Sequence, residues 1–561
     1  MTRGSARPQA QPPEQSPERS PTRKSVHGRV FYPAAAIALA FVVITVASPS
    51  SMDGGVAAVS SWIVSNFGWY YTVLVSLFVL FAVWMGVSHF GDIKLGADDD
   101  EPEFSRGSWF SMLFAAGMGI GLVFWGVAEP LNHFAGIPNR ATGIEAADGQ
   151  GAQGALVQTF LHWGLHPWAI YVVVGLAVAY AVHRRKRPVS IRWALEPILG
   201  RRVHGWLGDL IDITAVIGTL FGVATSLGLG VAQIAAGLDF IDVVSDPGNV
   251  TMVILIGVIT LIAMGSVVSG VKKGIKWLSN ANIGLAAALM IFVLVTGPTL
   301  FILRDFIQSI GLYLQSFLQM SFSTTAFQGA DGEAWQGYWT AFYWGWWISW
   351  APFVGVFIAR ISKGRTVREF VAAVLLVPTL VSFLWFSVFG GAGLFRQLFG
   401  GGGLVGADAE GNATVDSNAA LFTLLDGLPG GSIIVGVAIV LVVLFFVTSS
   451  DSGSLVVDML ASGGDENPPV WSRIFWSSAE GLVAIALVLA GGLSALQGVA
   501  IAIALPFSLV MIGMCVATIK VFARERKTMV RAQRKIQREE LTAQVTKSLV
   551  DDGLVEPAKR P

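Results

Sequence analysis

Long apolar runs separated by short polar segments dominate the chain from residue 29 onward. Each run is about 20 residues long, the length that a helix needs to cross the hydrocarbon core of a bilayer. The strict alternation of apolar and polar residues that marks a membrane β-barrel is absent. The pattern therefore predicts an all-α polytopic membrane protein with about twelve transmembrane helices. They are expected near 31–47, 69–87, 109–127, 155–182, 211–236, 252–268, 283–303, 342–368, 370–389, 433–447, 476–493 and 499–521.

The polar segments outside these runs divide the rest of the chain. Residues 1–28 are rich in Pro, Ser and Arg, which predicts a disordered tail. Residues 304–334 are interpreted as an amphipathic helix along the membrane interface followed by a loop. A glycine-rich loop is expected at 390–411, and residues 524–561 form a charged tail with helical spacing over most of its length.

Charge is scarce and segregated. Only 13% of residues are charged, against about 25% in soluble domains. Clusters of Lys and Arg follow spans four, six, eight and twelve, so the positive-inside rule predicts a cell-membrane protein with both termini in the cytoplasm. The phosphate-loop pattern GxxxxGK[ST] is missing, which argues against an ATP-driven pump. The single cysteine, Cys515, excludes a disulfide within the chain.

Two spans contain residues that disfavour a regular helix. The third carries the sequence AAGMGIG at Ala115–Gly121, and the eighth contains Gly345 and Pro352. Close helix packing is one explanation for such glycines, and local unwinding that frees backbone carbonyls is the other. The two spans lie five apart, so they would correspond in a protein built from two inverted five-helix repeats. Paired interruptions of this kind indicate a binding site at the membrane midplane.

Aromatic residues concentrate in two spans. The eighth has Trp346, Trp347 and Trp350, which fall within about 100° of one another on a helix. The fourth reads HWGLHPWAIY from residue 162 and includes Trp163 and Trp168. A lone membrane tryptophan usually belongs to an interfacial belt. These clusters sit inside spans instead, and aromatic faces can bind a quaternary ammonium that has no N–H to donate. We therefore expect a dry aromatic box.

Three polar features have competing explanations. The hydroxyls of Thr448–Ser452 suit a hard cation such as Na⁺ if the tenth helix ends there and frees carbonyls, or else they cap that helix. His162 and His166 could form half a metal site, but no third ligand is evident, so hydrogen bonding at a helix end is preferred. Glu129 is either a proton-linked acid or, as we expect, an exposed helix-end carboxylate.

Two motifs, GMGIGLVFWGVAEP and FYWGWWISWAPFVGVFIARISKGRTVREF, resemble the signatures of the betaine/choline/carnitine transporters. The resemblance extends over about 31–521 and implies the inverted-repeat fold of the neurotransmitter:sodium symporters, homotrimers and alternating access. Two N-terminal helices (29–107) would precede the first repeat (108–303) and the second (335–523).

By position, the resemblance assigns the box to Trp163, Trp168, Tyr171 and Trp347, with Trp346 and Trp350 lining the pathway or a second pose. Tyr343 and Trp344 are expected only to pack. The carboxylate end of the substrate would meet Met118 and the glycines Gly117, Gly119 and Gly121. One Na⁺ would lie between the carbonyls of Ala115, Met118 and Phe445 and the hydroxyls of Thr448 and Ser449. A second would use Thr219 and the Phe353 ring, but Val223 stands where sodium-coupled betaine carriers have a threonine.

The expectation is a Na⁺-coupled symporter of a compatible solute, with glycine betaine first. No organic cofactor and no nucleic-acid partner are expected. A proton-coupled choline, other trimethylammonium or ectoine transporter is the alternative, and an aromatic-lined channel is the alternative of another class. An enzyme is disfavoured because no nucleophile–base or metal constellation is evident. The basic tail resembles an osmosensing helix that binds anionic lipid, or is a plain positive-inside anchor.

Overall fold

Helices account for nearly all the regular structure in the computed structural model, which describes residues 26–117, 119–136, 148–269, 272–552 and 554. The α-helices are α1 (Gly28–Ala47), α2 (Pro49–Val87), α3 (Arg106–Gly117), α4 (Ile120–Ala135), α5 (Gly149–Trp163), α6 (Leu165–Ala179), α7 (Glu196–Leu199), α8 (Trp206–Phe240), α9 (Asn249–Ser269), α10 (Lys272–Thr296), α11 (Thr299–Ser321), α12 (Gly329–Gln336), α13 (Phe342–Ile361), α14 (Val367–Phe399), α15 (Ala420–Asp426), α16 (Gly431–Ala461), α17 (Val470–Gly491) and α18 (Leu493–Asp551). A two-stranded antiparallel hairpin joins β1 (Gly406–Ala407) to β2 (Ala413–Thr414).

Ten helical segments of the described chain are long and apolar enough to cross a membrane. The predicted third and eighth spans are not among them. The third is divided between α3 and α4, and the eighth, α13, is rich in tryptophan, whose hydropathy is low. The fold is therefore all-α and polytopic, as predicted. The expected tail at 1–28 lies almost wholly outside the described residues, and the division into two repeats stays a prediction.

Helix α13 lies at the centre of the helical assembly. It packs against α6, α8 and α18, and nearly all its side chains are buried. Helix α9, in contrast, exposes a row of apolar side chains that includes Val250, Ile254, Val258 and Leu261. This arrangement is expected of a membrane protein, whose outer surface contacts lipid.

The third span is interrupted as predicted. Helix α3 ends at Gly117 and α4 begins at Ile120, with Gly119 extended between them (φ −152°, ψ −178°). A second break separates α5 from α6 at Gly164 (φ −95°, ψ −127°), inside the fourth span. A Cβ at Gly164 would lie 2.5 Å from the Phe160 carbonyl oxygen, so no larger residue fits that backbone.

The predicted interruption of the eighth span is wrong. Helix α13 continues through both Gly345 and Pro352. Gly345 serves packing instead: a Cβ there would lie 2.9 Å from the Cα of Ile501 in α18.

Other predicted boundaries also need correction. The tenth helix does not end near Val447, because α16 continues to Ala461. The glycine-rich loop begins at Gly400, since the earlier glycines belong to α14. The last span and the charged tail form one helix, α18, of 59 residues.

Candidate substrate and ion site

Four aromatic rings meet where the α5–α6 break faces α13. Trp163 is the last residue of α5, Trp168 and Tyr171 follow on α6, and Trp347 comes from α13. The ring centroids of Trp163 and Trp347 are 4.9 Å apart, those of Trp168 and Tyr171 5.3 Å, and those of Tyr171 and Trp347 6.5 Å. All four side chains are buried. The structure thus brings together the four residues predicted to form the box.

The box encloses a cavity of about 20 Å³, whose wall also includes Gly119, Gly121 and Trp350. That volume holds about one water molecule. The rings therefore stand closer together here than a trimethylammonium group would require.

The glycines at the start of α4 allow the backbone to approach the box. A Cβ at Gly121 would lie 2.6 Å from Cη2 of Trp346 and 2.9 Å from Cη2 of Trp163. A Cβ at Gly119 would lie 3.4 Å from Cη2 of Trp350, an ordinary contact. Gly117 ends α3, while Met118 lies outside the described residues, so its predicted role is not tested.

A ladder of nearly parallel rings runs along one face of α13. It consists of Phe342, Trp346, Trp350 and Phe353, with successive centroids 5.5, 6.0 and 6.0 Å apart and interplanar angles of 14°, 7° and 9°. Trp346 also stacks on Trp347 at 4.6 Å. The ladder therefore connects the box to the space around Phe353. The pathway role of Trp346 and Trp350 stays a prediction.

That space is a second cavity of about 130 Å³. Gly119 and Trp350 line both cavities, and the second also includes Phe445, Thr448 and Ser449 of α16 and Asn282 of α10. The Thr448 hydroxyl donates to the Leu444 carbonyl at 2.9 Å and accepts from Asn282 Nδ2 at 3.2 Å.

Two observations bear on the predicted Na⁺ sites. Asn282 lines the cavity, and its Oδ1 is buried with no hydrogen-bond partner among the described residues. An all-oxygen donor set fits a hard cation. Because α16 is continuous, however, Thr448 neither caps a helix end nor follows unwound backbone.

The remaining predicted ligands are Ala115, Phe353 and Thr219. Ala115 lies in the last turns of α3. For the second site, Phe353 lines the cavity, whereas Thr219 does not. The Thr219 hydroxyl is buried in α8 without a hydrogen-bond partner in the described chain.

A carboxylate lies behind the box, and its environment overturns a prediction. Glu129 is fully buried in α4. Its Oε1 accepts from His162 Nδ1 at 2.8 Å and His133 Nε2 at 3.3 Å. Its Oε2 accepts from the indole N–H of Trp163 at 2.7 Å and from the Tyr343 hydroxyl. The expectation of an exposed helix-end carboxylate was wrong, and Tyr343 does more than pack.

The preferred explanation of His162, hydrogen bonding at a helix end, agrees with the structure, because it bonds to Glu129 from the last turn of α5. His162 does not pair with His166, which stacks on Trp344 with centroids 5.1 Å apart. The sequence showed no third metal ligand near His162, but the fold brings two more close to it. Ligand atoms of Glu129, His133 and His162 lie within 4.8 Å of one another. In the described structure both histidines hydrogen-bond to Glu129 Oε1.

The sequence profile of the betaine/carnitine/choline family of transporters matches residues 29–527. The chain belongs to this family. The transporter is 52% identical over 503 residues to an uncharacterized transporter of Mycobacterium tuberculosis, covering 89% of this chain and 83% of the relative. It is 43% identical over 505 residues to the glycine betaine transporter OpuD of Bacillus subtilis (90% and 96%). It is 41% identical over 524 residues to a glycine betaine/proline/choline transporter of Vibrio parahaemolyticus (91% and 92%).

Membership in this family makes the protein a multi-pass membrane transporter and not an enzyme. Sequence reasoning missed three residues of the site in this transporter: Asn282, His133 and Tyr343. Of these, only Tyr343 carried a signal, since it lies one helical turn before Trp347 and so shares its side of α13.

Proposed function

We propose that this transporter imports a quaternary-ammonium compatible solute, glycine betaine first, by Na⁺ symport and alternating access. The box of Trp163, Trp168, Tyr171 and Trp347 carries the proposal, because desolvated aromatic faces attract a cation by about 2 kcal/mol or more per contact. Relatives named as glycine betaine transporters support the choice of solute.

Coupling to Na⁺ is supported by the oxygen groups around the 130 Å³ cavity, in which Thr448, Ser449 and Asn282 meet. These groups and the Phe445 carbonyl would hold the ion in the cavity next to the box. The two cavities are neighbours, because Gly119 and Trp350 line both. The proximity would let ion and solute favour the same conformation.

Uptake of radiolabelled glycine betaine into proteoliposomes tests the proposal. We expect accumulation above the external concentration when a Na⁺ gradient is imposed, and none when K⁺ replaces Na⁺ on both sides. Accumulation driven equally well by a proton gradient without Na⁺ would favour the proton-coupled alternative. Flux that never exceeds equilibration under any gradient would favour the aromatic-lined channel.

The choice among betaine, choline, carnitine and ectoine depends on small features of the box. The Vibrio relative is named for glycine betaine, proline and choline together, so a narrow solute range is not implied. A competition panel of these solutes against labelled betaine ranks them. We expect betaine to compete at the lowest concentration.

We further propose that the protein lies in the cell membrane as a homotrimer with both termini cytoplasmic. The orientation follows from the clusters of Lys and Arg that flank alternate spans. Mass photometry in lipid nanodiscs tests the trimer, and protease protection of tagged termini in spheroplasts tests the orientation.

The end of α18 is a candidate osmotic sensor. Its residues from 531 to 548 are exposed and include Arg531, Arg534, Lys535 and Arg538. Each basic residue near an anionic membrane surface contributes about 1 kcal/mol of attraction. Deleting residues 524–561 should flatten the dependence of uptake on osmolality in liposomes that contain anionic lipid. An unchanged osmotic response would reduce the tail to an anchor.

A further inference from the structure

Two tryptophans of the box direct their indole N–H groups away from the enclosed space. Trp163 Nε1 donates to Glu129 Oε2 at 2.7 Å, and Trp347 Nε1 donates to the His162 carbonyl at 2.9 Å. Because an indole has a single N–H, each bond fixes the rotation of its ring. The orientation of these two rings is therefore set by groups outside the box.

We propose that Glu129 is a positioning residue that, together with His162, holds Trp163 and Trp347 with their π faces available to a trimethylammonium group. The inference rests on the proposed function of the box. It adds that recognition of the cation depends on a buried carboxylate that is not itself in the cavity wall.

The hydrogen bonds of Glu129 make this role physically consistent. An ionised carboxylate accepts about four hydrogen bonds, and four donors surround this one: His133 and His162 at Oε1, Trp163 and Tyr343 at Oε2. Bonds to an ionised acceptor are shorter and stronger than neutral ones. A full set of donors is what allows a carboxylate to remain buried in a membrane protein.

His162 links the two rings. Its Nδ1 donates to Glu129, so its Nε2 is left to accept, and Gln158 Nε2 and Thr340 Oγ1 lie 3.2 and 3.1 Å away. The carbonyl of the same residue receives the Trp347 N–H. This carbonyl is near the end of α5, beside the break at Gly164. One residue therefore ties Glu129 to the ring from α13.

A box held in this way should recognise charge as well as shape. With these two N–H groups engaged elsewhere, the two rings meet the solute through their π systems. Glycine betaine and its carbon isostere 3,3-dimethylbutyrate have nearly the same shape, but only betaine carries the cation. The dissociation constant of the isostere divided by that of betaine consequently measures ring orientation. A general loss of folding would weaken the binding of both solutes and leave this ratio unchanged.

The experiment compares Glu129→Leu, Glu129→Gln and wild type, purified in detergent, by isothermal titration with betaine and the isostere. We expect Glu129→Leu to weaken betaine binding about tenfold while leaving the isostere nearly unchanged, because the Trp163 ring remains but its cation–π contact is no longer optimally oriented. Glu129→Gln retains an acceptor oxygen, so its ratio of dissociation constants should be close to that of wild type. His166→Gln is the matched control, a buried histidine of α6 whose ring stacks on Trp344, and should leave the ratio unchanged.

An unchanged ratio in folded Glu129→Leu would overturn the proposal. If that variant does not fold, Tyr343→Phe, which removes only the phenol O–H at Oε2, takes its place and should lower the ratio by a smaller factor; an unchanged ratio there overturns the proposal as well. Failure of wild type to bind betaine would instead contradict the proposed function, so the two failures are distinguishable.

Discussion

The two sides of the aromatic box are supported in different ways. Trp163 and Trp168 flank a break at Gly164, where the backbone leaves helical geometry. Trp347 stands in α13, an unbroken helix that is buried against α6, α8 and α18. One side is therefore a pair of half-helices joined by a non-helical residue, and the other is a continuous platform.

The difference shows that glycine has two separate uses in this transporter. At Gly164 and Gly119 it accompanies backbone that leaves the helix, which exposes polar groups such as the His162 carbonyl. At Gly345 it stays helical and lets α18 approach α13. Substitutions at the two kinds of position should consequently affect different measurements.

The largest effect is expected at the platform. In Gly345→Ala the added Cβ would lie 2.9 Å from Ile501 Cα, and backbone cannot move aside as a side chain can. We expect destabilisation of about 1–3 kcal/mol, seen as a lower melting temperature in detergent, with unchanged betaine affinity in the folded fraction. Gly436→Ala in α16, whose Cβ would meet nothing within 4 Å, is the control. Equal melting temperatures for the two variants would contradict the packing role of Gly345.

A smaller effect on stability, but a clear effect on binding, is expected at the broken side. In Gly121→Ala the Cβ meets the far ends of the Trp346 and Trp163 rings, which can tilt. We expect the dissociation constant for betaine to rise about tenfold, equivalent to about 1.4 kcal/mol, with little change in melting temperature. Gly119→Ala makes only an ordinary contact at 3.4 Å and should affect binding less. A larger loss of betaine affinity in Gly119→Ala than in Gly121→Ala would contradict the closer contact of Gly121 with the box.

These contrasts also show what the sequence could predict. Aromatic clusters in the fourth and eighth spans, together with the family resemblance, predicted which four rings meet. The glycines at 117–121 predicted the first break. The unbroken course of α13 could not be predicted, because the partner of Gly345 is Ile501, which lies far away in sequence. The burial of Glu129 was missed for the same reason: its partners His162 and Tyr343 come from other helices.

The smallest effect in this series is expected at the second cavity. Thr448→Val removes a hydroxyl that Asn282 contacts. We expect the Na⁺ concentration for half-maximal uptake to rise about fivefold, since one polar interaction contributes about 1 kcal/mol. Thr296→Val is the control, because that hydroxyl donates to the Phe292 carbonyl of its own helix. A Na⁺ dependence that is the same in both variants would remove Thr448 from the ion site.

We propose that Trp347 contributes a face to the solute, whereas its neighbour Trp344, equally buried on α13, stacks on His166. Equilibrium binding of glycine betaine to Trp347→Leu and Trp344→Leu, measured on folded protein by isothermal titration, tests it most directly. We expect Trp347→Leu to weaken binding about 30-fold, the equivalent of one desolvated cation–π contact of about 2 kcal/mol. Trp344→Leu should bind betaine nearly as tightly as wild type. Wild-type affinity in Trp347→Leu would contradict it.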